Sequence, residues 1–155
     1  MIFHKYKCIF IHIPKCAGSS INSYLSENIN LNWRKANYDF LYGWCPDRRV
    51  HMQHVTAKQM LELELVTYQD WNNYYKFTFI RNPWDRAYSD YLWMKRDNHI
   101  EGDFMDYITM LGEFKNILRN KDKKGYRGDH LLKQSAYFDM EGKYQLDFVG
   151  RFENL

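Results

Sequence analysis

Phe10-Ile-His-Ile-Pro-Lys-Cys-Ala-Gly-Ser-Ser-Ile21 decides the fold. It begins inside Lys7–Ile13 (KCIFIHI), a short apolar run rich in β-branched and aromatic residues that reads as a buried strand. Residues 14–18 (PKCAG) break the run. Ser19–Glu27 then reads as a helix, with Ile21 and Leu25 four positions apart on one face. Strand, small-residue loop and helix together open an α/β unit. A helix start presents unpaired N–H groups and partial positive charge. Gly18 lets backbone approach a ligand closely, Ser19 and Ser20 add hydroxyl donors, and Lys15 adds a full charge, so the loop reads as an anion cradle. It is not the nucleotide-triphosphatase loop G-x-x-x-x-G-K-[ST]: Lys15 precedes Gly18 by three, and the first glycine is missing. An ordinary turn before a helix is the other reading of a Gly-Ser-Ser triplet.

Working outward, Tyr75–Ile80 (YKFTFI) is a second buried-strand candidate. Arg81-Asn-Pro follows, then a helix from about Trp84 to Lys95, with Asn82 as cap and Pro83 in the first turn. In a parallel sheet Arg81 lies at a carboxyl strand end beside the first loop, where α/β folds bind ligands. Its planar guanidinium suits bidentate phosphate binding, and Ser89, two turns into the helix, adds a donor. Arg86 could also reach a phosphate but is read as an ion-pair partner of Asp85 or Asp90 holding the turn, and Trp84, Tyr88 and Tyr91 are read as packing. Helices are also expected over Thr56–Val66 (Thr56 as cap), Asp103–Leu118 and Asp129–Tyr137, and a late strand over Leu146–Phe152. Residues 28–50 look irregular. Residues 115–133 carry seven basic side chains against Asp122 and Asp129. They form either a solvated loop or a surface that steers an acidic ligand.

The rest of the 155 residues sets bounds. With 45% hydrophobic and 26% charged residues, this is an ordinary globular composition. Aromatic content is high at 18%. Mean hydropathy stays at −0.67, and no apolar run approaches the ~20 residues of a membrane span. A net charge of +3 is too small to indicate nucleic-acid binding. Cys8, Cys16 and Cys45 show no C-x-x-C spacing, and the start lacks a signal-peptide pattern, so a reducing, cytoplasmic location is expected.

IPKCAGSS and FIRNPWDRAYSDY, taken together, resemble the two donor-binding motifs of the sulfotransferases that use 3′-phosphoadenosine 5′-phosphosulfate (PAPS). The nearest likeness is to the carbohydrate-modifying branch, the heparan 2-O- and chondroitin-type enzymes and their bacterial or viral relatives in sulfotransferase family 2. Residues 147–155 (DFVGRFENL) resemble that branch's late strand, R-[FY]-E-[DN]-L, so the likeness runs from about Phe10 to Leu155.

The resemblance implies a P-loop-like three-layer α/β fold, a central parallel sheet flanked by helices, in one domain over residues 1–155. It implies that Lys15, Cys16, Ala17, Gly18, Ser19 and Ser20 hold the 5′-phosphosulfate, and that Arg81 and Ser89 hold the 3′-phosphate. PAPS would be the donor, 3′,5′-adenosine bisphosphate (PAP) the product and a saccharide hydroxyl the acceptor, with no metal; an oligomer is compatible with this reading. Residues 51–57 (HMQHVTA) resemble the segment that brings a catalytic histidine to the sulfate, which makes His54 the expected general base. From the residues alone, His54 could equally cap or pack near the Thr56 helix, and His51 and His54 have His-x-x-His metal spacing without an apparent third ligand. His12, inside the first strand, is read as structural. Residues 134–137 (QSAY) resemble a segment near the acceptor cleft. Relatives usually continue past the late strand with a segment that helps close the nucleotide site. A minimal form, completion by another subunit, or a shortened chain are the corresponding expectations. Two rival readings remain open: a P-loop-like kinase or nucleotide hydrolase, and a non-catalytic nucleotide- or glycan-binding domain.

Overall fold

The computed structural model describes residues 1–120 and 125–155. In chain order the elements are β1 (Ile2–Phe3), β2 (Cys8–Ile11), α1 (Gly18–Leu25), β3 (Trp44–Cys45), β4 (Val50–His51), α2 (Ala57–Glu62) and α3 (Tyr68–Asn73). There follow β5 (Tyr75–Ile80), α4 (Pro83–Asn98), α5 (Phe104–Thr109), α6 (Phe114–Arg119), β6 (Asp139–Met140), β7 (Lys143–Tyr144) and β8 (Phe148–Arg151). The main sheet has the order β1-β2-β5-β8. β2, β5 and β8 run parallel, and β1 adds an antiparallel edge that the sequence pattern did not indicate. The α/β fold with a central parallel sheet is therefore present.

Alternation along β2 explains why its whole sequence is apolar. Ile9 and Ile11 face a core with Ile13, Met52, Met60, Trp71 and Tyr137. Cys8 and Phe10 face the other core, where Ile21 and Leu25 of α1 pack. A parallel strand covered on both faces has no polar side to show. Register completes the frame: Ile11 pairs with Thr78 and Ile80 with Arg151, so the loops after β2, β5 and β8 leave the sheet at one end. The fully buried Thr78 hydroxyl is satisfied by donating to the Ile11 carbonyl at 2.6 Å.

Several boundaries differ from the expectation. Thr56 caps α2 in a reciprocal capping box with Gln59, but the helix stops at Glu62, and Glu64 turns left-handed (φ 52°). The helix expected over Asp103–Leu118 is two helices, α5 and α6, because Met110 (φ 54°) and Gly112 (φ 52°) turn the chain between them. Asp129–Tyr137 forms two 3₁₀ turns, Gly128–Leu131 and Gln134–Tyr137. α4 starts as expected, with Asn82 accepting from the N–H groups of Trp84 and Asp85. Lys121, Asp122, Lys123 and Lys124 of the basic stretch lie outside the described residues. Among the described residues no helix is long and apolar enough to cross a membrane.

Candidate active site

The loop from β2 to α1 turns sharply. Lys15 (φ 66°) and Ala17 (φ 64°) both adopt left-handed backbone, costly for residues with a β-carbon. Ala17 is the residue before α1, so the first N–H groups of that helix, at Gly18, Ser19 and Ser20, have no partner within it. Gly18 is obligatory for packing: a β-carbon there would overlap the His12 ring. The Lys15 ammonium lies 5.2 Å from the Trp93 ring. Burial lowers its proton affinity, while Asp90 opposes that. Cys16 is different. Its side chain is fully buried against Gln134, its N–H closes a turn on the Ile13 carbonyl, and burial pushes its thiol up to about 11. It shapes the loop from behind. Ser19 lines the cleft, whereas Ser20 is exposed one position further along α1.

Arg81 is held from three sides. Its backbone N–H and C=O pair with the Gln134 side-chain amide at 2.9 and 2.7 Å. Its guanidinium donates to the Lys15 carbonyl at 3.3 Å and sits 4.3 Å over the Phe152 ring. Glu153 accepts from the Asn82 N–H at 2.6 Å, and that bond helps hold its carboxyl below the usual range. The R-F-E-N-L stretch at residues 151–155 thus has a physical purpose: Phe152 and Glu153 brace Arg81 and the start of α4.

Arg86 corrects the sequence reading. It is 8% exposed and binds three carbonyls, those of Pro14 (3.0 Å), Leu132 (3.0 Å) and His130 (2.6 Å). It therefore ties the first loop to the Gly128–Leu131 turn. Among the aromatics read as packing, Tyr91 does pack, against the Met94–Tyr107–Phe114 cluster. Trp84 is 77% exposed, and Tyr88 lines an outer hollow of the site.

These pieces surround one cleft of about 760 Å³, lined by Lys15, Ala17, Gly18, Ser19, Arg81, Ser89 and His54 among others. A hollow of about 460 Å³ adjoins it and shares Lys15, Arg81, Ser89 and Trp93. The cleft's described lining carries Lys15, Arg34, Arg81 and Arg127 against the carboxylate of Asp97, so its field is positive.

Histidines form the cleft floor. His12, read from the sequence as structural, lines the cleft, with its ring centroid 4.6 Å from that of His54. Burial pushes it down to about 3, with the amino terminus and His130 adding to the effect. His54 is also held well below the ordinary imidazole range, by burial and by His12, His130 and His51. Its Nδ1 has no hydrogen-bond partner among the described residues. His54 is therefore a neutral acceptor at pH 7. The His51–His54 spacing does not build a metal site: among the described residues no group of three or more ligating side chains is arranged to hold an ion.

Trp33, Trp93, Arg127 and His130 are among the lining residues that escaped the sequence reading. Arg127 was counted only as one charge in a basic stretch. It is 9% exposed, bonds Nε2 of His51 at 2.9 Å and lies 5.7 Å from the Trp33 ring. For His12 a signal was present, since two-residue alternation puts it on the Phe10 face, and the two rings do stack at 5.4 Å.

Comparison with curated proteins and with solved structures returns no match. A family model described as "Sulfotransferase family" matches residues 1–155, the whole chain. The same loop and strand ends that carry the cleft lie within that match, and the chain belongs to the sulfotransferase family.

Proposed function

We propose that this sulfotransferase moves a sulfuryl group from PAPS to a hydroxyl on a saccharide. One observation carries the reading: the Lys15–Ser19 loop and the pair Arg81 and Ser89, two groups of anion-binding donors, line the same connected space. A donor with phosphate groups on both the 3′ and 5′ positions of one ribose matches that pairing. Lys15 and the N–H groups that open α1 would hold the phosphosulfate end, and Arg81 and Ser89 the 3′-phosphate.

In the reaction the acceptor oxygen forms a bond to sulfur, and the bond from sulfur to the donor phosphate breaks with its electron pair on that phosphate. Lys15 and the helix-start amides face an oxygen whose charge grows as this bond breaks, so they favour the transition state over the ground state. His54, neutral and with Nδ1 unpartnered, takes the hydroxyl proton.

The acceptor side supports a saccharide. Trp33, 42% exposed, lies within 4.9 Å of the Arg34 guanidinium and 5.7 Å of that of Arg127. An aromatic face flanked by cations suits a sugar ring carrying carboxylate or sulfate. The three described cysteines are free and buried, in keeping with the reducing compartment proposed from the sequence.

The test compares thermal shifts with PAP and with ATP plus magnesium, followed by transfer of labelled sulfate from PAPS to a saccharide panel. PAP is expected to stabilise the protein, and Lys15→Ala and Arg81→Ala to weaken that effect. Stabilisation by ATP–magnesium alone would sink the reading. Binding of PAP without transfer to any acceptor would reduce the protein to a binding domain. Full activity in His54→Ala would remove His54 from the proton step.

A further inference from the structure

His130 sits in the Gly128–Leu131 turn, 6% exposed, with its ring stacked on Trp93 at 5.4 Å. Its Nδ1 lies 2.7 Å from Oδ1 of Asp90, which is 1% exposed. The other oxygen of Asp90 accepts from the buried Tyr107 hydroxyl at 2.9 Å. Nε2 of His130 has no hydrogen-bond partner among the described residues, yet the residue lines the cleft, edge-on to His54 at 5.3 Å between centroids. A nitrogen this deeply buried and unpartnered, at the wall of a binding cleft, is a group waiting for a ligand.

We propose that His130, oriented by Asp90 and Tyr107, is a second catalytic residue, the imidazole on which the acceptor proton comes to rest. The proposal rests on the sulfotransfer reading above and deepens it.

The chemistry follows from the partners. Burial would raise the Asp90 carboxyl, but His130 and the Tyr107 hydroxyl hold it below its usual range, so it is anionic. An anion at Nδ1 fixes the proton there and leaves the Nε2 lone pair free to accept. When Nε2 takes a proton, the resulting imidazolium faces a buried carboxylate. His54 has no such carboxylate among the neighbours that shift it, so it is a poor place to leave a proton. The hydroxyl O–H bond breaks as oxygen bonds to sulfur. The proton is taken up first on His54 and ends on Nε2 of His130, which leaves His54 neutral. Asp90 is a positioning residue throughout and gains no proton.

Charged and titratable groups around His130 come from each packed element. α4 supplies Asp90 and Arg86, and α5 supplies Tyr107. The floor supplies His54 and His12, and its own turn Asp129 and Arg127. Lys15 stands over the same indole on which His130 stacks.

Two measurements on the full chain decide the matter. His130→Gln is expected to lower kcat at pH 7 by about 100-fold while PAP affinity stays within about threefold. Nitrogen-15 histidine spectra of the free protein should show His130 as the Nδ1–H tautomer, and Asp90→Asn should shift that balance toward the Nε2–H form. Turnover in His130→Gln within about threefold of the parent, an Nε2–H tautomer in the parent, or a tautomer balance that Asp90→Asn leaves unmoved would each overturn the proposal. If His130→Gln does not fold, Asp90→Asn and the spectra carry the test. Absence of PAP binding by the parent chain sinks the sulfotransfer reading itself. Retained transfer with an indifferent His130 sinks only this assignment.

Discussion

At the scale of single residues, Gly18 shows how closely the anion loop and the histidine floor are coupled. Its missing side chain is the space that the His12 ring occupies, so the helix start can lie directly over the floor. Gly18→Ala is therefore expected to displace either the ring or the start of α1. We expect PAP affinity to fall at least about tenfold, with destabilisation of about 1–3 kcal/mol from overpacking, read by calorimetric titration and urea unfolding. Near-parental affinity would mean that the loop shifts freely and that the contact has no role in binding. Lys15, Gly18, Arg81 and Ser89 were legible in the sequence because each sits at a fixed offset from a strand end. His130 and Arg127 were not. They reach the cleft from far along the chain, through Arg86 and through a ring stack on Trp93, contacts that no local pattern encodes.

At the scale of elements, the site is made by three strands ending together. The loop after β2 supplies Lys15, the loop after β5 supplies Arg81, and the loop after β8 supplies Phe152 beneath Arg81. Phe152 is only half-buried, so removing its ring should touch binding more than folding. For Phe152→Ala we expect PAP binding about tenfold weaker, in line with loss of about 1 kcal/mol or more of cation–π contact and guanidinium ordering, and a small change in melting temperature. A large melting shift with parental affinity would assign Phe152 to folding alone. The strands and the capped start of α4 were readable because buried apolar runs and Asn-Pro caps are local signals. The split between α5 and α6 was not: Met110 and Leu111 continue an apolar pattern, and only the left-handed turn at Met110 and Gly112 ends the helix. The β1 edge is two residues long, too short for any periodicity, and exists because β2 offers it a partner.

At the scale of the whole molecule, burying neutral imidazoles beneath a positive cleft makes stability depend on pH. His12 has a folded value of about 3 against an ordinary 6.5, and His54 is shifted in the same direction. For such groups the unfolded chain binds protons that the folded chain refuses. Stability is therefore fully present above pH 6.5 and falls as the pH drops towards the folded values. Each histidine contributes a slope of up to about 1.4 kcal/mol per pH unit once the pH is below 6.5. Carboxylates held low in the fold, such as Asp90, add their loss only nearer pH 4. Asp129 works the other way, because burial raises it and the folded form takes up its proton early. Between pH 6.5 and 5 the histidines titrate together with the Met1 amino group, which burial pushes down to about 5, so the difference made by His12→Asn is what isolates an imidazole. Urea midpoints should decline through this window, and His12→Asn should flatten the slope by the equivalent of up to one proton. A PAP-saturated sample should decline less steeply, since a polyanion above the floor favours the protonated imidazoles. A flat profile in the parent, or a slope that His12→Asn leaves unchanged, would show that the histidine floor does not couple charge to folding.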